Sequence, residues 1–478
     1  MWHVPGIKHD SLGILANEAL KSVEDLLYLA MDRRIRLAVT GLNQAGKTVF
    51  ITSLIHQLLQ GARLGGLPFF RVVAEGRYQG AKIVLQPNME IASFRYDQFI
   101  QSLMGDPPAW PRATDGLSEI RLALRFRPSG LLRGHLMSGT TIHLDIIDYP
   151  GEWLLDLPLL GQGYCQWSRE VLALCEQEPR RSLAQSWLDH LSGEDPLQDA
   201  DEGRIRQASR LFTEFLVRCK EAPVGLSFLQ PGRFLIPGDL KDTPLLTFCP
   251  LRCTVESMKE GSMLQVMSER FESYKELVVR RFYRDHFSRF DRQIVLVDVL
   301  KGLNRGPENF GDMSRSLKSI MKNFDYGRSS LLGRMFQPKI DRLLFAATKS
   351  DHVAANQHGN MERLLERMVM DQVNDVSFYG VKVESMAIAS IVSTETVVQE
   401  HQGRRLSFVR GRPKGRQEEV LLFPGEIPET IPKPEAWKKE RFNFLEFEPA
   451  GSDWNDQTSL PHLRLDWALD FLLGDKLT

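Results

Sequence analysis

Residues 35–48 read IRLAVTGLNQAGKT, and this stretch decides the fold of the chain. Its first six residues form a short β-rich run, and residues 41–48 match the pattern G-x-x-x-x-G-K-[ST]. Apolar side chains then recur at helical spacing between residues 51 and 59. The order strand, glycine-rich turn and helix predicts a phosphate-binding loop, or P-loop, and makes a chance glycine-rich turn the weaker alternative.

Each part of this turn has a task in holding a nucleoside triphosphate. Glycines let backbone N–H groups turn inward around the β-phosphate, and the helix N-terminus adds a favourable dipole. Lys47 is expected to neutralise β- and γ-phosphate oxygens, and the Thr48 hydroxyl to ligate Mg²⁺. The other predicted nucleotide contacts of the loop are Asn43, Gln44, Ala45, Gly46 and Val49.

A second motif follows about a hundred residues later, where an apolar strand ends in Asp148-Tyr149-Pro150-Gly151. A carboxylate at a strand end can hold the Mg²⁺ shell, and a glycine leaves its N–H free to meet a γ-phosphate. We therefore assign Asp148 to the metal and Gly151 to the phosphate. Asp145 lies inside the strand and is the weaker candidate.

The third motif, Thr348-Lys349-Ser350-Asp351, comes directly after the apolar run DRLLFAA. A carboxylate that accepts hydrogen bonds from N1–H and the 2-amino group recognises guanine, and the lysine stem can cover the base. Asp351 at the end of a late strand therefore favours GTP and GDP over adenine nucleotides. Ala389 and Ser390, after another short strand, are expected to present backbone N–H groups to the guanine O6.

A threonine between the P-loop helix and the strand of Asp148 is the remaining expected element. Thr114 fits this position, and its hydroxyl could complete the Mg²⁺ shell. Arg112, two residues earlier, could stabilise transition-state charge. A solvated loop arginine is the open alternative.

Apolar runs at 119–126, 141–147, 293–299, 341–347 and 383–389 predict further strands of a buried sheet, and residues 153–290 have helical texture. The predicted parts are an N-terminal amphipathic helix within 1–34, a nucleotide-binding domain at 35–154 and 291–400 with a small insertion at about 62–111, an inserted helical domain at 155–290, and a C-terminal hairpin and closing helix at 401–478.

The composition of the chain limits which kinds of binding partner are expected. The 478 residues carry a net charge of -1, so bulk attraction to nucleic acid is not expected. A basic stretch at 404–416 could meet phosphate, RNA or an anionic lipid surface, but a solvated loop is favoured. No apolar run is long enough to span a membrane, which predicts a cytoplasmic protein. The five cysteines lack metal-site spacing and are expected to be reduced.

With these motifs in place, the chain resembles the Ras-like GTPases, and more narrowly the bacterial YcjX-like family of P-loop GTPases. The resemblance implies a Ras-like G domain of α/β fold, in which a mostly parallel sheet is flanked by helices, with a large inserted all-α domain. It also implies Mg²⁺ as cofactor, a stress-linked role, an unnamed protein effector or regulator, and cytoplasmic residence. A membrane-associated partner and a peripheral position at the inner membrane stay open.

Two departures from the Ras-like pattern bear on mechanism. Thr348 replaces an asparagine that usually links the guanine motif to the P-loop. Glu152 stands where such proteins carry a water-orienting glutamine, and its charge near a γ-phosphate is unfavourable. We therefore expect slow GTP hydrolysis. An ATPase or P-loop kinase, and a nucleotide-gated binding module with negligible hydrolysis, are the alternatives.

Overall fold

The structure is a computed structural model that describes residues 34–42, 44–114, 116–129, 139–221, 223–253, 259–325, 339–378, 380–401, 404–439, 442–450 and 459–478. The strands are β1 (Arg34–Gly41), β2 (Tyr78–Val84), β3 (Ala92–Ser93), β4 (Ser118–Phe126), β5 (Thr140–Asp148), β6 (Arg292–Val297), β7 (Arg342–Ala347), β8 (Lys382–Ala387), β9 (Thr394–His401), β10 (Arg404–Gly411) and β11 (Val420–Leu422).

The helices are α1 (Lys47–Leu59), α2 (Arg71–Ala74), α3 (Tyr96–Met104), α4 (Glu152–Asp156), α5 (Tyr164–Leu174), α6 (Arg180–Ser192), α7 (Glu202–Lys220), α8 (Gly232–Leu235), α9 (Met263–Tyr274), α10 (Arg280–Asp285), α11 (Val299–Asn304), α12 (Pro307–Asp325), α13 (His358–Phe378), α14 (Ala436–Lys439) and α15 (Leu465–Leu473). A π-helical turn, Lys275–Val279, joins α9 to α10. Among these described helices, none has the length and apolar character needed to cross a membrane.

The main sheet has the order β2-β4-β5-β1-β6-β7-β8, with β3 paired to β4. Strands β5, β1, β6, β7 and β8 run parallel, whereas β4 pairs antiparallel with β5 and with β2. The predicted strands are all present. The mostly parallel sheet flanked by helices confirms the predicted α/β fold of the P-loop NTPase type.

Helices cover both faces of this sheet. Along β1, Leu37 and Val39 face a core shared with α1 and α15, while Ala38 between them faces the core of the opposite layer. This alternation is the two-residue period of a strand. Because both faces are buried, the central strands are nearly continuous apolar runs, which is the pattern that made them predictable.

The chain between β5 and β6, residues 149–291, forms helices and short turns in the part that the structure describes, and we call it the inserted helical region. Its core is aromatic: the rings of Trp167 and Phe271 stack with centroids 4.9 Å apart, and Trp187 lies 4.8 Å from Phe212. The prediction of five reduced cysteines is wrong, because a disulfide joins Cys165 to Cys253. The two lie 88 residues apart in the chain, so local spacing carried no sign of the pairing.

The C-terminal region forms a small second sheet and a closing helix. Strands β9, β10 and β11 form a separate antiparallel sheet that contains the predicted hairpin. Helix α15 then packs on the α1 side of the main sheet. The predicted N-terminal helix at residues 11–30 lies outside the described residues.

Candidate nucleotide-binding site

All the sequence motifs meet at one edge of the main sheet. The P-loop follows β1, Asp148 ends β5, Thr348–Asp351 follows β7, and Ser390 comes after β8. Because the carboxyl ends of parallel strands share an edge, motifs separated by up to 350 residues become neighbours. They line one cleft with a volume of about 820 Å³, which is large enough for a nucleotide.

The glycine-rich turn has the backbone that its sequence requires. Gly46 has φ 83°, in the left-handed region where glycine alone is unstrained. Gln44 also has a positive φ, 61°, and accepts a hydrogen bond from Lys301 Nζ. Ala45, Lys47, Thr48 and Val49 line the cleft with these two. Asn43 lies outside the described residues.

Two residues from different motifs, Lys47 and Thr114, meet at the carboxylate of Asp148, which is 1% exposed. Lys47 Nζ lies 2.5 Å from Asp148 Oδ1, and Thr114 Oγ1 donates to Asp148 Oδ2 at 2.6 Å. Lys47 Nζ also donates to the carbonyl of Tyr149 at 3.1 Å. The hydroxyls of Thr48 and Thr114 and this carboxylate are hard oxygen donors, the set that fits Mg²⁺.

Gly151 is in contact with the P-loop. A Cβ at this position would lie 2.3 Å from the carbonyl oxygen of Gly41, so a larger residue would push the two motifs apart. Glu152 follows and begins α4, and its Oε1 lies 2.8 Å from Nζ of Lys220, the last residue of α7. A second cavity of about 10 Å³, room for roughly one water molecule, touches Gly151, Glu152 and Lys220.

The guanine motif presents Asp351 to the cleft. Asp351 is 5% exposed, and its Oδ2 accepts hydrogen bonds from the backbone N–H and the hydroxyl of Ser393, both at 2.8 Å. These two bonds hold the carboxylate in one orientation. Thr348 also lines the cleft; its N–H donates to the carbonyl of Val297 at the end of β6.

Lys349 is held between two carboxylates. Its Nζ lies 2.7 Å from Asp298 Oδ2 and 2.8 Å from Glu446 Oε1. Burial lowers the pKa of Lys349, but Asp298 and Glu446 outweigh burial and raise the pKa above its usual value. Burial raises the pKa of Glu446, yet Lys349 overcomes it, with help from Lys414 and Lys301, and lowers the pKa to about 2. Both groups are therefore charged near neutral pH.

Some predicted residues stand apart from the cleft. Arg112 is exposed and is not among the residues that line it. The N–H of Ala389 donates to the carbonyl of Leu463, so only Ser390 of that pair borders the cleft. The buried carboxylate of Asp145 pairs with Arg121, 2.5 Å away, and with Arg34, which agrees with its assignment as a poor metal ligand.

Comparison with known proteins finds relatives that match almost the whole chain. The sequence profile described as "YcjX-like family, DUF463" matches residues 35–477. The chain belongs to the YcjX-like family. An Escherichia coli (strain K12) relative named Ras-like GTPase YcjX is 43% identical over 463 residues, which cover 95% of this chain and 98% of the relative. A Shewanella oneidensis relative of the same name is 39% identical over 486 residues, covering 98% and 99%.

The YcjX-like profile spans the nucleotide motifs, the inserted helical region and most of the C-terminal region, and all three contribute to the cleft. Sequence reasoning missed several of these residues. From the inserted helical region come Lys220, Lys241 and residues 235–238. The C-terminal region adds Lys414, Glu446 and Phe447, and Trp110 lies beside Thr114. Lys414 belongs to the basic stretch at 404–416, for which contact with phosphate was the alternative to a solvated loop. The other residues belong to no recognisable motif, so no local signal could have revealed them.

Proposed function

We propose that this YcjX-like chain binds guanine nucleotides and hydrolyses GTP to GDP and phosphate with Mg²⁺. The observation that carries the proposal is the oriented Asp351 carboxylate in the same cleft as the P-loop. A guanine offers two adjacent donors, N1–H and the 2-amino group, whereas an adenine offers none in that place. The names of the two relatives, both Ras-like GTPases, support the same assignment.

The roles follow from the positions of the side chains. Lys47 neutralises β- and γ-phosphate oxygens, and the P-loop N–H groups of residues 44–48 cradle the phosphates. Thr48, Thr114 and Asp148 would hold Mg²⁺, which supplies charge neutralisation on the phosphate oxygens. Gly151 senses the γ-phosphate through its N–H. Thr348, Lys349 and Asp351 bind the base, with Ser390 beside it.

The decisive experiment is equilibrium binding of GDP, ADP and xanthosine diphosphate to the wild type and to Asp351→Asn. The wild type should prefer GDP to ADP by at least about 100-fold, because a mismatched buried hydrogen-bonding pair loses several kcal/mol. In Asp351→Asn the amide donates where the carboxylate accepted, which suits the 2-carbonyl of xanthine. Preference should therefore move from guanine to xanthine.

A gain of xanthosine diphosphate binding in Asp351→Asn would distinguish altered base recognition from misfolding, because a misfolded variant would bind no nucleotide. Asp371→Asn, on an exposed residue of α13, is the matched control and should bind as the wild type does. A preference for ADP that Asp351→Asn leaves unchanged would favour an ATPase or kinase instead.

Slow hydrolysis is the second part of the proposal. Glu152 already pairs with Lys220, and Arg112 is exposed and does not line the cleft, which supports weak catalysis by these two predicted side chains. These observations also favour a nucleotide-gated binding module, in which GTP is held and scarcely hydrolysed. Single-turnover hydrolysis in excess Mg²⁺ decides between them: a rate that Lys47→Ala and Thr48→Ala leave unchanged would support the module.

We further propose, on the family resemblance, that the nucleotide state acts as a switch in a stress-linked process and is read by a protein effector or regulator. Release of the γ-phosphate contact at Gly151 would alter α4, which begins at the next residue. A cytoplasmic protein, with a membrane-associated partner as one option, suits this role.

A further inference from the structure

The inserted helical region places a lysine, Lys220, against Glu152, the acidic residue that follows Gly151. Lys220 Nζ and Glu152 Oε1 are 2.8 Å apart, with side-chain exposures of 25% and 14%. Both residues line the nucleotide cleft together with the P-loop and Gly151. The pair therefore stands where charge bears directly on the phosphate end of a bound nucleotide.

Neither partner is free to move far. Lys220 is the last residue of α7, whose Phe212, Phe215 and Cys219 are buried in the core of the inserted helical region. The backbone of Glu152 is packed against α8, because a Cβ on Gly232 would lie 2.3 Å from the Glu152 carbonyl oxygen. One turn further along α4, Asp156 Oδ1 accepts a hydrogen bond from the N–H of Gly232 at 2.8 Å.

We propose that Lys220 is a positioning residue that keeps Glu152 from repelling the γ-phosphate, so that the inserted helical region sets the preference for GTP over GDP. This inference rests on the proposed function. An unpaired carboxylate in the cleft disfavours every phosphate, and it disfavours GTP more than GDP because GTP brings additional negative charge next to Gly151. A lysine paired with that carboxylate compensates its charge, which removes the extra repulsion of GTP relative to GDP. The ion pair also holds the Glu152 side chain towards Lys220.

The test measures the ratio of affinities for GTP and GDP in a charge cycle of Lys220→Met, Glu152→Gln and the double variant. The probes are N-methylanthraniloyl GDP and the same label on a non-hydrolysable GTP analogue, each with full-length protein in excess Mg²⁺. Lys220→Met should lower the GTP:GDP affinity ratio by about 10-fold or more, and Glu152→Gln should raise it. The double variant should return close to the wild-type ratio, and Lys220→Arg should keep it.

Arg218→Met, on the exposed face of the same helix, is the control and should leave the ratio unchanged. Restoration in the double variant shows that the protein still folds and binds, so a general structural defect cannot produce it. An equal loss for GTP and GDP in Lys220→Met would overturn the inference. So would a double variant as impaired as Lys220→Met, which would mean that Lys220 binds phosphate without Glu152. A wild type that binds neither guanine nucleotide would instead defeat the proposed function itself.

Discussion

At the scale of single residues, Asp148 links three of the predicted motifs. Its two oxygens meet Lys47 and Thr114, one from the P-loop and one from the segment before β4. Each of these groups has a different partner in the proposed nucleotide complex, phosphate for Lys47 and Mg²⁺ for Thr114. Binding would therefore exchange polar contacts within the cleft, so that few groups lose all their partners.

A second buried carboxylate, at the end of α4, has an unusual environment. Asp156, the last residue of α4, is 2% exposed and accepts hydrogen bonds from the Gly232 N–H and, at 2.6 Å, from the Tyr274 hydroxyl. Burial raises the pKa of Asp156 from its ordinary value of 3.8 to about 7, although these hydrogen bonds oppose the shift. The folded protein therefore retains a proton that the unfolded chain releases.

The sign of the resulting pH dependence is set by that retained proton. Stability from Asp156 is complete below the unfolded pKa of about 4 and is lost as the pH rises towards 7, by on the order of 4 kcal/mol at most. Asp156→Asn resembles the protonated acid, so its free energy of unfolding should fall less between pH 5 and pH 8. Urea unfolding across this range measures the difference, with Asp371→Asn as the control. Equal slopes for wild type and Asp156→Asn would contradict the prediction.

At the scale of elements, the strands of the main sheet were predictable and their partners in the small insertion were not. Strands β1, β5, β6 and β7 are buried on both faces, so each reads as a compact apolar run. Strand β2 lies at an edge and is only half buried, without an apolar run of that kind. Its antiparallel pairing with β4 depends on contacts across the sheet, which periodicity does not report.

A buried carboxylate on α12 contributes to the contact between this helix and the inserted helical region. Asp312, 1% exposed, pairs with Arg180 at 2.5 Å and accepts from the backbone N–H groups of Ser227 and Phe228. Asp312→Leu should destabilise the protein by about 3–5 kcal/mol, because it leaves the Arg180 charge buried and unpaired. Urea unfolding measures the change.

The double variant Arg180→Met with Asp312→Leu tests the reason. Once the charge is also removed, the groups that have lost a partner are neutral backbone groups: the N–H groups of Ser227 and Phe228 and the carbonyl of Phe228. The double variant should therefore be more stable than Asp312→Leu alone. Strictly additive losses from the two substitutions would show that the ion pair does not stabilise this contact.

At the scale of the whole molecule, a buried arginine of the main sheet is bound by the C-terminal turn. Arg292 begins β6, the first strand after the inserted helical region, and its side chain is fully buried. It pairs with Asp475 at 2.9 Å and with Asp341, and it donates to the carbonyl of Leu472 at 2.8 Å. The strand after the insertion is thereby joined to the last turn of the chain.

Asp475→Asn should lower the free energy of unfolding by about 1–2 kcal/mol, since Arg292 loses one charged partner and keeps another. Asp371→Asn, which removes an exposed partner of Lys318, should change it by less than about 0.5 kcal/mol. Thermal and urea unfolding of the two variants give the comparison. A loss in Asp475→Asn no larger than in Asp371→Asn would mean that the arginine does not depend on this contact.

The sequence by itself determined the α/β fold, the order of the motifs and the family. These features are local: a glycine-rich turn, an apolar strand and a strand-end aspartate each follow from neighbouring residues, and parallel strands place their ends together. Only the tertiary structure decided that Lys220 lies against Glu152, that Ser393 orients Asp351, and that Glu446 holds Lys349. Ser393 is 42 residues from Asp351 in the chain, and Glu446 is 97 residues from Lys349. Lys220 is 68 residues from Glu152. Their contacts depend on how the layers pack, which no local pattern contains.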